Sequence, residues 1–103
     1  LFNIINEQVF DSNFLDIFSG SGGIGIEALS RGAKICYFVD NNLNAVKCIE
    51  DNLNFTNLEQ NAYVLNKDVI SAIKELSLKD IKFSIIFIYV KMHHQQYNST
   101  IKM

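Results

Sequence analysis

The sequence predicts an α/β fold, a Rossmann-like, doubly wound parallel sheet with helices on both faces. Three observations lead there. Apolar spacing switches regularly between a period of two and a period of three to four along the 103 residues. Segments that read as strands and helices alternate roughly every 20 to 25 residues, the rhythm of right-handed crossover units. The strand segments are also near-continuously apolar, as expected of a sheet covered on both sides.

The elements follow in order. "LFNIINEQV" puts Leu1, Phe2, Ile5 and Val9 on one helical face, and "NFLDIF" (13–18) is a short strand. "GGIGIEALSR" (22–31) reads as a helix stopped by Gly32. "KICYFV" (34–39) is a second strand. Asn41 or Asn42 can cap the next helix, where Leu43, Val46, Ile49 (or Ala45) and Leu53 recur at helical intervals. "AYVLN" (62–66) is a third strand, and Val69, Ile70, Ala72, Ile73 and Leu76 make a short amphipathic helix. After a turn at Lys79 and Asp80, "FSIIFI" (83–88) supplies a fourth strand. The strand order expected of such a doubly wound sheet is 3-2-1-4, and residues 1–103 are expected to be one domain or part of one.

Composition narrows the function classes. An apolar share of 49% against 19% charged residues excludes a disordered tail, and the absence of proline argues against a Pro-rich linker. A chain of this length buries roughly 60 to 70% of its unfolded surface, enough for a core. The net charge of −2 supplies no summed positive field for nucleic acid, so any RNA contact needs a local patch or further sequence. The longest apolar runs fall far short of the ~20 residues of a membrane span. No signal-peptide pattern opens the chain, and a cytoplasmic location is expected. Cys36 and Cys48 lack metal-ligand spacing and read as small core residues. The chain opens at Leu1 and stops at Met103 inside a helix-like stretch, which reads as an excerpt of a longer domain.

Ligands of doubly wound sheets bind beyond the carboxyl ends of the strands. "DIFSGSGGIG", "FVDNN", "LNKDV" and "IYVKM" all lie at that edge. "GSGGIG" (20–25) fits G-x-G-x-x-G between a strand and a helix, where Gly20 and Gly22 allow positive φ and close approach of backbone amides, and the helix N-terminus favours a negative group. A turn that binds nothing is the structural alternative. Asp40 ends the second strand 20 residues after Gly20, where a carboxylate accepts from ribose hydroxyls; a solvated loop aspartate is the alternative. Asp68 closes the third strand and can accept from an adenine amino group, cap the following helix, or do both. Asp16 separates two cofactor classes. An anion four positions ahead of Gly20 would repel a pyrophosphate but suits a ligand carrying an amino group and a sulfonium, so S-adenosylmethionine fits better than NAD. A helix-capping or loop-bracing Asp16 is the competing reading.

With these residues in view, the chain resembles the class I S-adenosylmethionine-dependent methyltransferases, and among them the bacterial 16S rRNA (guanine-N2) methyltransferases of the RsmD type. "LFNIINEQV", "LDIFSGSGGIGIEALSRGA", "YFVDNN" and the Asp68 segment match that family in order and spacing. The pattern D-x-F-x-G-S-G-x-x-G-x-E-A-L-S-R-G-A is far more specific than its glycines alone. The resemblance implies that Asp16 and the loop Ser19, Gly20, Ser21 and Gly22 hold the methionine part of the cofactor. It further implies that Asp40 holds the ribose, that Asn41, Asp68 and Val69 flank the adenine, and that the partner is 16S rRNA or the small ribosomal subunit. It covers residues 1 to about 88 and implies the N-terminal, cofactor-binding half of a methyltransferase domain.

The resemblance breaks at the end of the fourth strand. Family members carry D/N-P-P-Y/F there, and this chain has Tyr89, Val90, Lys91 and Met92. The Asp or Asn and the adjacent carbonyl accept from the exocyclic amine and aim its lone pair at the methyl group, while the aromatic ring stacks on the flipped base. Without that acceptor most of the ~7 to 11 kcal/mol available from positioning is lost. No catalytic residue is therefore expected in this chain, and little or no methyl transfer. His93 and His94 are adjacent residues with no further ligands spaced to join them, and no metal site is expected. The family fold continues with three more strands, so the fourth strand here is expected to expose an edge open to self-association. Two other classes stay open at this stage: an NAD-binding Rossmann domain of an oxidoreductase, and a non-catalytic interaction module.

Overall fold

The computed structural model describes residues 8–88, and in them four parallel strands form one sheet. Residues 8 and 9 are helical, and Val9 is fully buried. Then come β1 (Asn13–Ile17), α1 (Gly23–Ser30), β2 (Ile35–Val39), α2 (Leu43–Thr56), a 3-10 turn (Glu59–Asn61), β3 (Ala62–Leu65), α3 (Val69–Leu78) and β4 (Ile85–Ile88). The strand order is β3-β2-β1-β4, as expected from the sequence. Asp16 lies beside Phe38 on β2 and Phe87 on β4, so β1 is central and its carboxyl end opens where the order reverses.

Alternation along the strands sends side chains to two cores. On one face Phe14, Cys36 and Phe38 pack with Val9, Ala28, Leu29, Ile49 and Leu53, which brings α1 and α2 onto the sheet. On the other, Leu15, Ile17, Tyr37 and Val39 pack against Leu65, Ala72 and Leu76, under α3. Tyr37 stacks on Tyr63 at a centroid distance of 5.0 Å and meets Phe83 edge-on at 5.4 Å. Fully burying a side chain such as Phe14 or Phe38 contributes about 1.5–3 kcal/mol.

Helix ends follow the residues present. Asn42, the second of the two candidate caps, accepts from the amides of Asn44 (2.8 Å) and Ala45 (3.2 Å) with its Oδ1. Gly32, at φ +97°, follows α1 and allows the chain to turn back, with its carbonyl accepting from Asp11 N–H at 2.7 Å.

Several expectations change. Cys48 is exposed on α2 and only Cys36 belongs to the core. Cys48 lies two residues from Val46, on the side of the helix turned from the sheet. Leu43, Ile70 and Ile73 share their helices' apolar spacing but stay 56, 68 and 45% exposed. Leu43 is the first residue of α2, and Ile73 borders an open groove with Leu15 and Ile17 of β1 and Ile86 and Ile88 of β4, so it is only partly covered. The fourth strand is shorter than 83–88, and Ile86 and Ile88 are more than half exposed on the α3 side. The two-sided cover expected from its apolar run is therefore absent among the described residues. The helix expected over residues 1–9 is described only at 8 and 9. Tyr89, Val90, Lys91, Met92, His93 and His94 lie outside the described residues. Among the described residues no helix is long and apolar enough to cross a membrane.

Candidate functional site

The chain leaves β1 through a sharp turn. Phe18 takes φ +61°, uncommon for a residue with a Cβ, and both Phe18 N–H (2.9 Å) and Ser19 N–H (3.2 Å) donate to the Val39 carbonyl. Gly20 (φ +59°) and Gly22 (φ +80°) supply the left-handed positions that the loop before α1 requires. The Ser19 hydroxyl donates to the Asp16 carbonyl at 2.6 Å, and Gly22 N–H donates to the Ser19 carbonyl at 2.8 Å.

Asp16 is 1% exposed and lies at the floor of this turn. Its Oδ2 accepts from Gly25 N–H in the first turn of α1 at 3.0 Å. The helix-capping alternative is thus realised with one oxygen, while the residue also walls a cavity of about 350 Å³ with Phe18, Ser19, Gly20, Ser21, Gly23 and Ile24. Burial pushes the carboxyl up from its ordinary 3.8 to about 7; the Gly25 amide and the Ser19 contact oppose that rise, and the nearby Asp40 charge adds to it. A cation brought into the cavity would reverse the balance by stabilising the ionised form.

A second cavity, about 300 Å³, adjoins the first through their common wall Phe18. It is lined by Val39, Asp40, Asn41, Lys67, Asp68, Val69 and Ile70. Asp40 Oδ2 accepts from Gly20 N–H at 3.0 Å and Oδ1 from Asn42 N–H at 2.9 Å, so one carboxylate joins the glycine loop to the start of α2. Asp68 caps α3: its oxygens accept from Ser71 N–H and Ser71 Oγ–H, each at 2.9 Å, which holds its carboxyl below the usual range. Lys67 forms an ion pair with Glu75 of α3.

Of the nine residues singled out in the sequence, eight line this pair of cavities. Asp16, Ser19, Gly20 and Ser21 line the first; Asp40, Asn41, Asp68 and Val69 line the second. Gly22 faces elsewhere. A Cβ there would sit 3.2 Å from Ile49 and 3.4 Å from Phe38, so it serves the close packing of α1 and α2. Phe18, Lys67 and Ile70 join the lining without belonging to the sequence-predicted set. The signal for Phe18 is its place between the last strand residue and the loop, where a large side chain must project into the crevice.

A buried acid beside a glycine loop thus adjoins a second cavity edged by carboxylates at the carboxyl ends of the strands. The parallel sheet ordered 3-2-1-4, with helices on its faces, is the fold of the class I S-adenosylmethionine-dependent methyltransferases. The chain belongs, over residues 1–103, to the family described as Conserved hypothetical protein 95, which is of the RsmD type. It is 38% identical over 88 residues to YlbH of Bacillus subtilis, an alignment covering 85% of this chain and 48% of that protein. It is 30% identical over 94 residues to Ribosomal RNA small subunit methyltransferase D of Haemophilus influenzae, covering 90% and 48%. The chain thus spans about half the length of these curated relatives. Among solved structures it matches yhhF from Escherichia coli at a TM-score of 0.65 and 32% identity, over 70% of this chain and 40% of that one. It also matches a SAM-dependent methyltransferase from Agrobacterium tumefaciens at a TM-score of 0.73 over 84% and 29%, where 20% identity reflects the shared fold.

Proposed function

We propose that this chain is the cofactor-binding half of an S-adenosylmethionine-dependent rRNA methyltransferase domain, one that acts on the guanine N2 of small-subunit rRNA in its intact form. The observation that carries the reading is the placement of Asp16: a buried carboxyl, raised to about 7, in the wall of the cavity that the glycine loop encloses. An acid there opposes a diphosphate and pairs with an ammonium group. The two cavities, of about 350 and 300 Å³, are each of the size of a small-ligand site and together offer room for an amino-acid tail and a nucleoside.

The residues fit the cofactor by their chemistry. Asp16, Ser19, Gly20 and Ser21 would hold its methionine part, Asp40 the ribose, and Asn41, Asp68 and Val69 the adenine. Bound S-adenosylmethionine supplies an electrophilic methyl group on a cationic sulfur. Asp16 contributes charge and Asp40 lone pairs. Phe18, between the cavities, contributes an apolar wall. The RNA assignment draws on the Haemophilus influenzae relative, whose name specifies the small-subunit ribosomal RNA. Guanine N2 as the acceptor follows from the family resemblance. Because Tyr89, Val90, Lys91 and Met92 replace the amine-orienting motif, the chain is proposed to bind cofactor without transferring its methyl group.

Isothermal calorimetry with S-adenosylhomocysteine tests the reading, with NADH as the competitor class. Binding of the first, weakened at least tenfold in Asp40→Ala, is the expected outcome. A folded protein that ignores S-adenosylhomocysteine and binds NADH overturns it.

A further inference from the structure

We infer that Asn52, on α2 and outside both cavities, is the positioning residue that fixes the glycine loop for its ligand. Its Nδ2 donates to the Ser21 carbonyl at 2.9 Å across a sequence separation of 31 residues. The same peptide unit is held at its other end, because Gly22 N–H donates to the Ser19 carbonyl at 2.8 Å. The Ser21–Gly22 peptide plane is therefore clamped through both its C=O and its N–H. Left-handed residues flank it, Gly20 at φ +59° and Gly22 at φ +80°. A glycine exchanges sign of φ at little cost, so a loop with two of them needs an external contact to select one arrangement.

A second side-chain tether on the loop is not equivalent. Gly20 N–H donates to Asp40 Oδ2, in the wall of the nucleoside cavity, where ribose hydroxyls would compete for the same oxygen. Asn52 lines neither cavity, so its contact persists when a ligand enters. It holds the loop from behind while the Asp40 tether is contested in front. Nδ2 also lies 3.7 Å from Cys48 Sγ, one helical turn away, which sets the side chain on the loop side of α2. This inference rests on the cofactor reading for the ligand's identity, but the clamp itself is a property of the free chain.

The test compares Asn52→Ala, Asn52→Asp and Asn52→Gln with the wild type. Asn52→Asp keeps the shape but cannot donate and turns a charge toward the Ser21 carbonyl, whereas Asn52→Gln keeps an amide donor. Amide hydrogen exchange is read in the free protein, S-adenosylhomocysteine affinity by calorimetry, and global stability by urea unfolding. Losing one neutral hydrogen bond should weaken affinity about three- to tenfold in Asn52→Ala, more in Asn52→Asp, with part of the loss restored in Asn52→Gln. Exchange at Gly22 should rise about fivefold or more while β1 amides stay protected. Unchanged Gly22 exchange, or an affinity loss that merely follows lost global stability in all three variants, overturns the inference. If the wild type ignores S-adenosylhomocysteine while Gly22 exchange still responds to Asn52, the cofactor reading fails and the clamp stands.

Discussion

Replacing Asp16 with asparagine should make the protein more stable at alkaline pH and flatten its pH dependence. The carboxyl titrates near 3.8 when the chain is unfolded and at about 7 when folded, because folding buries it. Between those values the folded state binds more protons than the unfolded state, so stability is greatest below 3.8 and falls as pH rises toward 7. At about 1.4 kcal/mol per pH unit, the interval of roughly three units costs the ionised native state about 4 kcal/mol. About 3 kcal/mol of that falls between pH 5 and 8.5. Asp68 has the opposite sign, its stabilisation being lost as pH falls through a pKa held below 3.8, so it titrates outside this window. In Asp16→Asn the side chain still offers an oxygen to Gly25 N–H, which preserves the 3.0 Å hydrogen bond at the start of α1. Urea unfolding of both proteins at pH 5 and 8.5 measures the difference of differences, which cancels contributions common to the two. The variant should gain about 3 kcal/mol on the wild type across the window. Parallel pH profiles, within about 0.5 kcal/mol, would refute the raised carboxyl and the burial argument with it.

Other outcomes follow from the same geometry. S-adenosylhomocysteine affinity should rise with pH up to about 7 and then level off, because its ammonium favours ionised Asp16 and binding below that pH must expel a proton; calorimetry in buffers of different ionisation enthalpy reads the proton release, and Asp16→Asn should abolish it. Gly25→Ala should destabilise the fold by about 1–3 kcal/mol or more in urea unfolding, since the new Cβ would lie 2.3 Å from Phe38 Cε2 and 2.7 Å from Cys36 Sγ in a filled core. Asn42→Ala removes the acceptor for two amides of α2 and should cost about 1 kcal/mol by thermal unfolding. Light scattering should show concentration-dependent association if Ile86 and Ile88 lie on an open surface, and Ile86→Lys should suppress it.

The order of elements was legible because apolar period and turn residues agree along this chain: Gly32 ends α1, an Asn precedes α2 and Asp68 precedes α3. The gathering of Asp16, Asp40 and Asp68 at one cavity-lined edge was legible too, since the carboxyl ends of parallel strands must converge and each aspartate stands at one. What periodicity could not give was which spaced apolar residues find a partner. Ile70 and Ile73 obey the helical pattern as well as Ala72 and Leu76 do, yet α3 meets the sheet with only one stripe. Nor could a glycine motif reveal its division of labour. Gly20 faces the cavity, Gly22 lets α2 come close, and Gly25 sits where Phe38 leaves no space for a methyl group. Asn52 was silent in the sequence because its meaning is a contact across 31 residues.

Asp40 spends its two oxygens on amides from separate loops, Gly20 and Asn42, and also edges the cavity proposed for the nucleoside. Under that proposal, architecture and recognition are vested in a single side chain. A mutational scan scored only by loss of function would count every change there as a binding defect, though part of each effect would belong to a slackened scaffold. Separating the two calls for a ligand altered at its hydroxyls rather than a protein altered at position 40.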